Sequence, residues 1–239
     1  MHLKYKFFKH YIMKILFVYA VCFALVSVPE SKSYEDGFDE IIVISDLREK
    51  NISTAATSME IINSEVIERR KAQHIDTLLN TVANVNFASG ASRGRFVQIR
   101  GIGERSQFVE PINPSVGVLL DGIDISGTNG AALTLDLDRI EILRGPQGTI
   151  NGANALAGLI NLKSNRPEAI KSGKLKIGFG NYEARTIDGS YSIPISDTSK
   201  FRIAVGRTLN NGFMSNDFLD RDNTNNIDES AIKSMFDWQ

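Results

Sequence analysis

The stretch that decides the fold is 138–149, which reads DRIEILRGPQGT. Its first half, 140–144, is rich in Ile and Leu and favours an extended strand. The glycine-rich residues 145–148 that follow favour a tight turn or a close backbone approach. A phosphate-binding loop is the competing interpretation, but no Gly-Lys-Ser/Thr ending follows and no βαβ unit surrounds these glycines. The stretch therefore predicts a strand that ends in a tight turn.

Short strands and two helices are predicted on both sides of this stretch. Asn63 or Ser64 can cap the free N–H groups of the first helix, and Ile75 opens an i, i+3, i+4, i+7 apolar pattern in the second. Asp121-Gly122 predicts a tight turn inside a hairpin. Together these features predict a small α+β domain. It extends over 52–165, with helices at 64–70 and 75–82, a hairpin at 116–123, and strands at 61–62, 96–100, 140–144 and 159–162.

The order of these motifs resembles the plug domain of TonB-dependent outer-membrane receptors. Residues 138–149 are similar to the family's IEVLRGPQGTLYG motif almost letter for letter, and Ile150-Asn151 depart from it where a leucine and an aromatic residue are usual. This departure predicts altered local packing rather than a different role. The further matches are the family's IRG strand at 97–103, its DG hairpin at 114–123 and the segment 151–162.

The resemblance also implies how such a domain is held in place. Arg100, Arg139, Glu141 and Arg144 are predicted to lock the plug to the wall of a surrounding barrel. A polar barrel lumen can pair buried arginines with carboxylates, which makes such a lock physically reasonable. Ordinary surface charge with little energetic weight is the alternative, and we favour the lock for Arg100 and Arg144.

From residue 170 onward the sequence alternates between apolar and polar or small residues. Such alternation is typical of a soluble antiparallel sandwich and equally of a transmembrane barrel. The short polar turn 196–199 and the long Asn- and Asp-rich loop 209–229 favour the barrel, because outer-membrane barrels combine short periplasmic turns with long external loops. Four strands are predicted, with apolar positions within 175–179, 187–195, 201–205 and 232–238.

The predicted barrel is incomplete. Residues 170–239 are enough for roughly four strands of about ten residues each. Plugged outer-membrane transporters close with about 22 strands, and four strands would leave open edges with unsatisfied backbone groups in lipid. We therefore expect an α+β plug domain followed by the first antiparallel strands of an incomplete transmembrane β-barrel, in a fragment or a truncated gene product.

The N-terminus has the order of a secretory signal peptide. Four lysines between residues 4 and 14 precede the uncharged apolar run 15–28, and Ser31-Lys32-Ser33 offers a small-x-small cleavage site. A transmembrane anchor is the alternative, but this run is shorter than the roughly 20 residues that a spanning helix needs. Residues 1–33 are therefore predicted to be removed on export to a periplasmic or outer-membrane setting.

Residues 34–51 form the next predicted segment, which is polar and flexible. Within it the β-branched run 41–44 favours an extended backbone. A lone strand near a flexible terminus can pack on its own domain, or it can add to the sheet edge of a partner by β-augmentation. The run resembles the TonB box, by which the energy-transducing protein TonB engages these receptors. The resemblance therefore assigns TonB, with its inner-membrane energising complex, as partner of Asp39, Glu40, Ile41, Ile42, Val43, Ile44 and Ser45.

The composition argues against several other classes of function. The chain has 27 basic and 28 acidic side chains, so it has no net field to attract nucleic acid. Its one cysteine, Cys22, lies in the predicted signal peptide, and His74 is the one histidine beyond that segment. A lone histidine is more often a surface or capping residue than a ligand. We therefore expect no catalytic residues, no metal site and no cofactor.

The resemblance implies a function in import. The complete receptor would take up a scarce small molecule across the outer membrane, with a ferric siderophore as the favoured class and haem, cobalamin and sugars still open. Ligand contacts are predicted at the plug apices, 103–113 and 126–132. The protein is accordingly expected in the outer membrane, in contact with its lipid. A periplasmic binding or signalling module without transport is the alternative.

Overall fold

The computed structural model describes residues 42–45, 48–51, 58–89, 94–105, 113–131, 133–148 and 154–238. Several predicted features lie outside the described residues. These are the signal peptide 1–33, the residues Asp39, Glu40 and Ile41 of the predicted TonB box, and the departure at Ile150 and Asn151.

A short hairpin precedes the α+β domain. Strand β1 (Ile42–Ser45) pairs antiparallel with strand β2 (Arg48–Asn51), and the register joins Ile42 to Asn51 and Ser45 to Arg48. The predicted extended backbone over 42–45 is confirmed. Residues 48–51 form a strand that supplies the backbone partners of β1, where the sequence predicted a flexible segment.

Over its described residues, the α+β domain combines two short α-helices and a 3₁₀ helix (Ser126–Ala131) with seven short strands. Helix α1 (Ser64–Arg69) begins where the Asn63 side chain accepts a hydrogen bond from the Val66 N–H at 3.0 Å, as predicted. Helix α2 (Ile75–Leu79) is shorter than predicted. No helix among the described residues is long and apolar enough to cross a membrane. The strands are β3 (Ser58–Asn63), β4 (Val85–Ser89), β5 (Gly94–Ile99), β6 (Val116–Leu120), β7 (Ile123–Asp124), β8 (Leu137–Arg144) and β9 (Gly158–Ser164).

Five of these strands form one mixed sheet in the order β3-β8-β9-β6-β7. Strand β9 pairs parallel with β6 and antiparallel with β8, and strands β4 and β5 form a separate antiparallel pair. The predicted turn at Asp121-Gly122 joins β6 to β7, and its two φ angles are 51° and 88°, as a tight hairpin turn requires. The sheet packs its core through Ile140, Ile142 and Ile160, each 0% exposed.

The last four strands form a second, antiparallel sheet in chain order. They are β10 (Ser172–Phe179), β11 (Arg185–Pro194), β12 (Ser199–Asn210) and β13 (Ile227–Trp238). All four predicted strands are therefore confirmed. A short connection joins β11 to β12 and a long one joins β12 to β13, as the sequence predicted. Within the described residues this sheet is open, with β10 and β13 at its edges.

One face of the four-stranded sheet is polar and the other is apolar. The face that we call the inner face carries the even-numbered residues of β10, β11 and β12 and the odd-numbered residues of β13, and it meets the α+β domain. The opposite face exposes large apolar side chains, at 67% for Leu175, 77% for Ile232 and 76% for Trp238. A soluble sandwich would bury its apolar face, whereas an outer-membrane barrel turns it toward lipid. This polarity favours the barrel.

Candidate functional site

The inner face of the four-stranded sheet contacts the α+β domain through charged side chains. The sheet contributes Lys174, Lys176, Arg202 and Lys233, and the domain contributes carboxylates and a backbone carbonyl. Strand alternation puts these cations on one face, because successive side chains of a strand point to opposite sides. We treat this contact as the candidate functional site, since it joins the two sheets through buried charge.

Arg202, on strand β12, makes the most deeply buried of these ion pairs. Its Nε and one Nη donate to the two carboxylate oxygens of Asp136, each at 2.7 Å. Ser190 and Ser192 on strand β11 accept from the guanidinium at 3.1 and 2.8 Å. The Arg202 and Asp136 side chains are 9% and 7% exposed. Two parallel bonds between a planar guanidinium and a carboxylate form a strong ion pair, and a low-dielectric setting strengthens it.

The sheet also binds the turn that contains Asp136. Lys233 donates to the backbone carbonyl of the preceding residue, Leu135, at 2.8 Å. Gly206 leaves room for the Leu135 side chain, since a Cβ built on this glycine would lie 3.0 Å from Leu135 Cδ1. Asp136 has a φ of 54° and accepts from the Asn165 side chain at 3.0 Å. The turn is therefore held both by the sheet and by its own domain.

Glu68 of helix α1 contacts two cations of strand β10. Its Oε1 lies 2.5 Å from Lys174 Nζ and 2.9 Å from Lys176 Nζ. The hydrogen bond from Lys174 lowers the pKa of Glu68 below its ordinary value, partial burial opposes that shift, and Lys176 adds to it. The contact therefore stabilises the fold above the ordinary carboxyl pKa, and this stabilisation is lost as the pH falls through the lowered pKa. Because the side chain is 39% exposed, solvent screening keeps the effect small.

Replacing Glu68 by glutamine is accordingly expected to lower the free energy of unfolding near neutral pH and to leave it unchanged in acid, where the wild-type carboxyl is protonated. Equilibrium denaturation of the detergent-solubilised chain across the carboxyl titration range measures this difference. Glu183→Gln is the matched control, because Glu183 is 68% exposed and lies 3.9 Å from Arg185. A Glu68→Gln effect that stays constant into acid would contradict the assignment.

Gln73 and His74, just before helix α2, make two further contacts with the sheet. Gln73 Nε2 donates to Thr186 Oγ1 at 3.2 Å, and His74 Nε2 lies 2.8 Å from Glu229 Oε2. The sequence predicted His74 as a surface or capping residue. It occupies the N-cap position, but its side chain makes no cap hydrogen bond and is 8% exposed. The prediction was wrong about its surroundings, because the imidazole is buried between helix and sheet.

Three of the four predicted locking residues pair inside the α+β domain. Glu141 is 2% exposed and accepts from Arg139 Nε and from Asn161 Nδ2, both at 2.8 Å. Arg139 also donates to the neighbouring Asp138 at 2.6 Å. Arg144, at the end of β8, donates to Glu60 of β3. The Glu141–Asn161 and Arg144–Glu60 contacts join β8 to its two neighbouring strands, whereas both Arg139 pairs lie within β8.

Arg100 and Arg144, for which the lock is favoured, differ in their surroundings. Arg144 Nε is buried and has no hydrogen-bond partner among the described residues. Arg100 follows strand β5 with a φ of 54°, and it is exposed. In the ranges that the structure describes, no hydrogen bond or ion pair joins either arginine to the four-stranded sheet. A locking role for these residues stays a prediction.

The two stretches predicted to contact a ligand, 103–113 and 126–132, are described in part. Glu104 accepts from the N–H and the hydroxyl of Ser115 at 2.9 and 2.8 Å, so one stretch is tied to the start of β6. In the described part of the chain, no group of three or more His, Cys, Asp or Glu side chains is arranged to hold a metal ion. Ligand contact by these stretches also stays a prediction.

Sequence reasoning missed the contacts that join the domain to the sheet. One signal was available, because Lys174, Lys176 and Arg202 occupy polar positions of strands whose alternate positions are apolar. A charge in the middle of such a strand needs a partner on the polar side. The partner itself could not be found by pattern, since Asp136 and Arg202 are 66 positions apart.

Comparison with known proteins gives a family match and several distant relatives. Residues 51–159 match the family described as TonB-dependent Receptor Plug Domain. The pesticin receptor of Yersinia pestis is 24% identical over 186 residues, 77% of this chain and 27% of that protein. The vitamin B12 transporter BtuB of Vibrio cholerae is 22% identical over 181 residues, 73% of this chain and 28% of that protein. The chain thus spans about a quarter of the length of these relatives.

Solved structures show a similar fold. The ferric yersiniabactin uptake receptor FyuA from Yersinia pestis aligns with a TM-score of 0.66 at 22% identity, over 75% of this chain and 28% of that one. The siderophore receptor PiuA from Acinetobacter baumannii aligns with a TM-score of 0.64 at 18% identity, over 78% of this chain and 25% of that one. At these identities the similarity establishes the fold.

Proposed function

The chain belongs to the TonB-dependent receptors, whose plug domain it carries over residues 51–159, and on that premise we propose that it acts in energy-coupled uptake of a scarce ligand across the outer membrane. The plug, which is the α+β domain, closes a passage whose wall includes strands β10 to β13. Displacing or remodelling the plug opens that passage. No bond is made or broken, so activity depends on how the plug is held and how it is pulled.

The observation that carries this proposal is the opposite polarity of the two sheet faces. The inner face pairs Arg202 with Asp136 of the plug, while the outer face exposes Leu175, Ile232 and Trp238. Buried charge on one side and exposed apolar side chains on the other suit a sheet with a polar lumen within and lipid outside. This supports an outer-membrane location, with lipid as the partner of the outer face.

The hairpin of β1 and β2 is the proposed site of energy coupling. Residues 39–45 form the proposed TonB box, and the outer membrane has no nucleotide supply, so the energy comes through TonB from the inner membrane. In the two-stranded hairpin one edge of β1 pairs with β2, and no described strand pairs with the other edge, which suits a partner strand. Tension on β1 passes through β2 to β3, an edge strand of the plug sheet.

A ferric siderophore is the proposed ligand class. FyuA is a ferric yersiniabactin uptake receptor and PiuA is a siderophore receptor, and both share the fold. One relative is a vitamin B12 transporter, so cobalamin belongs in the uptake assay as a competing probe. The alternative function, a periplasmic binding or signalling module, predicts ligand binding without uptake.

Arg100 and Arg144 are proposed to help lock the plug to the barrel wall. The buried, unpartnered Nε of Arg144 supports this role, because an unsatisfied buried donor is costly and favours any acceptor that the wall offers. Arg139 and Glu141 are proposed to act indirectly, since their ion pair stiffens strand β8, which carries Arg144.

Deleting residues 39–45 from the complete receptor is expected to abolish uptake of radio-iron-labelled ferric yersiniabactin and to leave its equilibrium binding to cells unchanged. The segment couples through its backbone, whereas ligand contacts come from other parts of the protein. Val43→Pro should reproduce the deletion, because proline removes a backbone N–H donor and disrupts strand pairing.

Val43→Thr is the matched control for this experiment, because it keeps both the N–H group and the β-branched shape. It should transport normally. Uptake that survives the deletion would contradict the coupling role of the segment. Binding without uptake in the unaltered receptor would instead favour the binding or signalling module.

A further inference from the structure

The turn Leu135-Asp136 of the plug is bound to the inner face at three points. Arg202 holds the Asp136 carboxylate, Lys233 holds the Leu135 carbonyl, and Gly206 admits the Leu135 side chain. We propose that this turn, the wall anchor, is a fixed attachment that stays on the sheet while the receptor transports. The inference rests on the proposed function and deepens it, because it says which part of the plug does not move.

The wall anchor combines several contacts that would have to break together. The ion pair is bidentate, both side chains are less than a tenth exposed, and Ser190 and Ser192 bind the same guanidinium. Separating Arg202 from Asp136 would break both bonds of a buried ion pair and leave Arg202 with the more distant, half-exposed Glu168 alone, which is unfavourable. The anchor also spans strands β11, β12 and β13, so its load is shared by three strands rather than borne by one.

The wall anchor and the predicted lock differ in which side carries the positive charge. Here the plug supplies the carboxylate, Asp136, and the wall supplies the cations, whereas the predicted lock places arginines on the plug. The anchor also lies at the start of β8, while Arg144 lies at its end. The two sets of residues are therefore separate attachments, and they can be tested separately.

The path of tension from the TonB box meets β3 far from the anchor. Ser58, where β3 begins, pairs with Arg144 at the end of β8, and Asn63 pairs with Arg139 near the start of β8. A pull on Ser58 therefore peels β3 from β8 one residue pair at a time, beginning at the end remote from the anchor. Sequential rupture of single pairs requires less force than simultaneous rupture of the anchor contacts, so the geometry favours movement of β3 over release of the anchor.

The first test measures amide hydrogen exchange in the detergent-solubilised full chain. Arg202→Gln is expected to speed exchange of the Leu137 and Asn165 amides, which hydrogen-bond to Thr134 and Asp136, by about a hundredfold. Lys200→Gln is the matched control, because it removes a positive charge from the same face of β12, and it should leave both amides protected. Unchanged exchange in Arg202→Gln would overturn the anchor.

The second test asks whether the anchor must release during transport. In the complete receptor with Cys22→Ser, the variant L135C/G206C should form a disulfide across the plug–wall contact, because Gly206 faces the Leu135 side chain. Uptake of radio-iron-labelled ferric yersiniabactin is expected to be equal in the oxidised and reduced forms. The control I203C/S234C places its crosslink within the sheet, between register partners on the face opposite the anchor.

The outcomes separate the anchor from the proposed function. Uptake that is lost when L135C/G206C is oxidised and restored by a reductant, with I203C/S234C active throughout, would overturn the fixed anchor. If the unaltered receptor shows no energy-dependent uptake, the proposed function fails instead. In that case the exchange experiment, which needs no ligand, still decides whether Arg202 holds the turn.

Discussion

Asp136→Ala is expected to lower the free energy of unfolding by about 3–5 kcal/mol, because it removes both carboxylate bonds of the buried Arg202 guanidinium. The counter-charge that remains is Glu168, which is half exposed and 3.8 Å from Arg202. Arg202 is 9% exposed, so water cannot easily replace the lost carboxylate. Arg202→Ala should have a similar effect, since the carboxylate is then unpaired. The double variant should be less destabilised than the sum of the two, because neither charge remains.

Urea denaturation of the detergent-solubilised chain, analysed as a double-mutant cycle, measures the coupling between Asp136 and Arg202. The pair Arg207–Asp228 is a matched control on the same sheet, since its side chains are 57% and 56% exposed and 3.3 Å apart. Exposed pairs contribute about 0–1 kcal/mol. A coupling for Asp136–Arg202 no larger than that of Arg207–Asp228 would show that the buried pair does not hold the plug.

Gly158→Ala is the second substitution expected to have a large effect, a loss of about 3 kcal/mol in the free energy of unfolding. A Cβ at Gly158 would lie 2.5 Å from the Leu143 carbonyl oxygen and 2.6 Å from Ile99 Cδ1. The first of these atoms belongs to the backbone of the neighbouring strand, so strands β8 and β9 would have to separate. That separation would strain the centre of the plug sheet.

Gly127→Ala is the control for this effect, because a Cβ at Gly127 would meet nothing within 4 Å. It should leave the free energy of unfolding nearly unchanged. Denaturation of both variants, with amide exchange of strand β9 as a local readout, distinguishes a steric effect from a general intolerance of glycine replacement. Equal stability of the two variants would contradict the close approach of the strands.

Much of the fold could be predicted from short-range patterns. Alternation of apolar and polar residues located β10 to β13, Asn63 indicated the start of helix α1, and Asp121-Gly122 located a tight turn. Each of these signals depends on residues that are neighbours in sequence, where side-chain direction and turn geometry follow from local chemistry. The prediction failed for 48–51, because this charged strand owes its conformation to pairing with β1 rather than to its own propensity.

The candidate site was predicted less well than the fold. The predicted residues Arg139 and Glu141 pair with each other, and Arg144 pairs with Glu60, all inside the plug. Their locking role was implied by resemblance to the family. A resemblance does not identify the residue with which each charged side chain pairs in this chain. The contacts that do join plug and sheet involve residues far apart in sequence, and no local pattern links them.

The sequence by itself determined a plug-like α+β domain followed by membrane-length strands, because strand alternation, capping and turn chemistry act over a few residues. Only the tertiary structure decided that Asp136 meets Arg202, that Leu135 packs over Gly206, and that His74 is buried beside Glu229. Those contacts arise when two separately patterned surfaces dock, and their register depends on the shape and charge of both surfaces at once. Local periodicity determines which face of a strand is polar, whereas docking determines which partner each charge on that face finds.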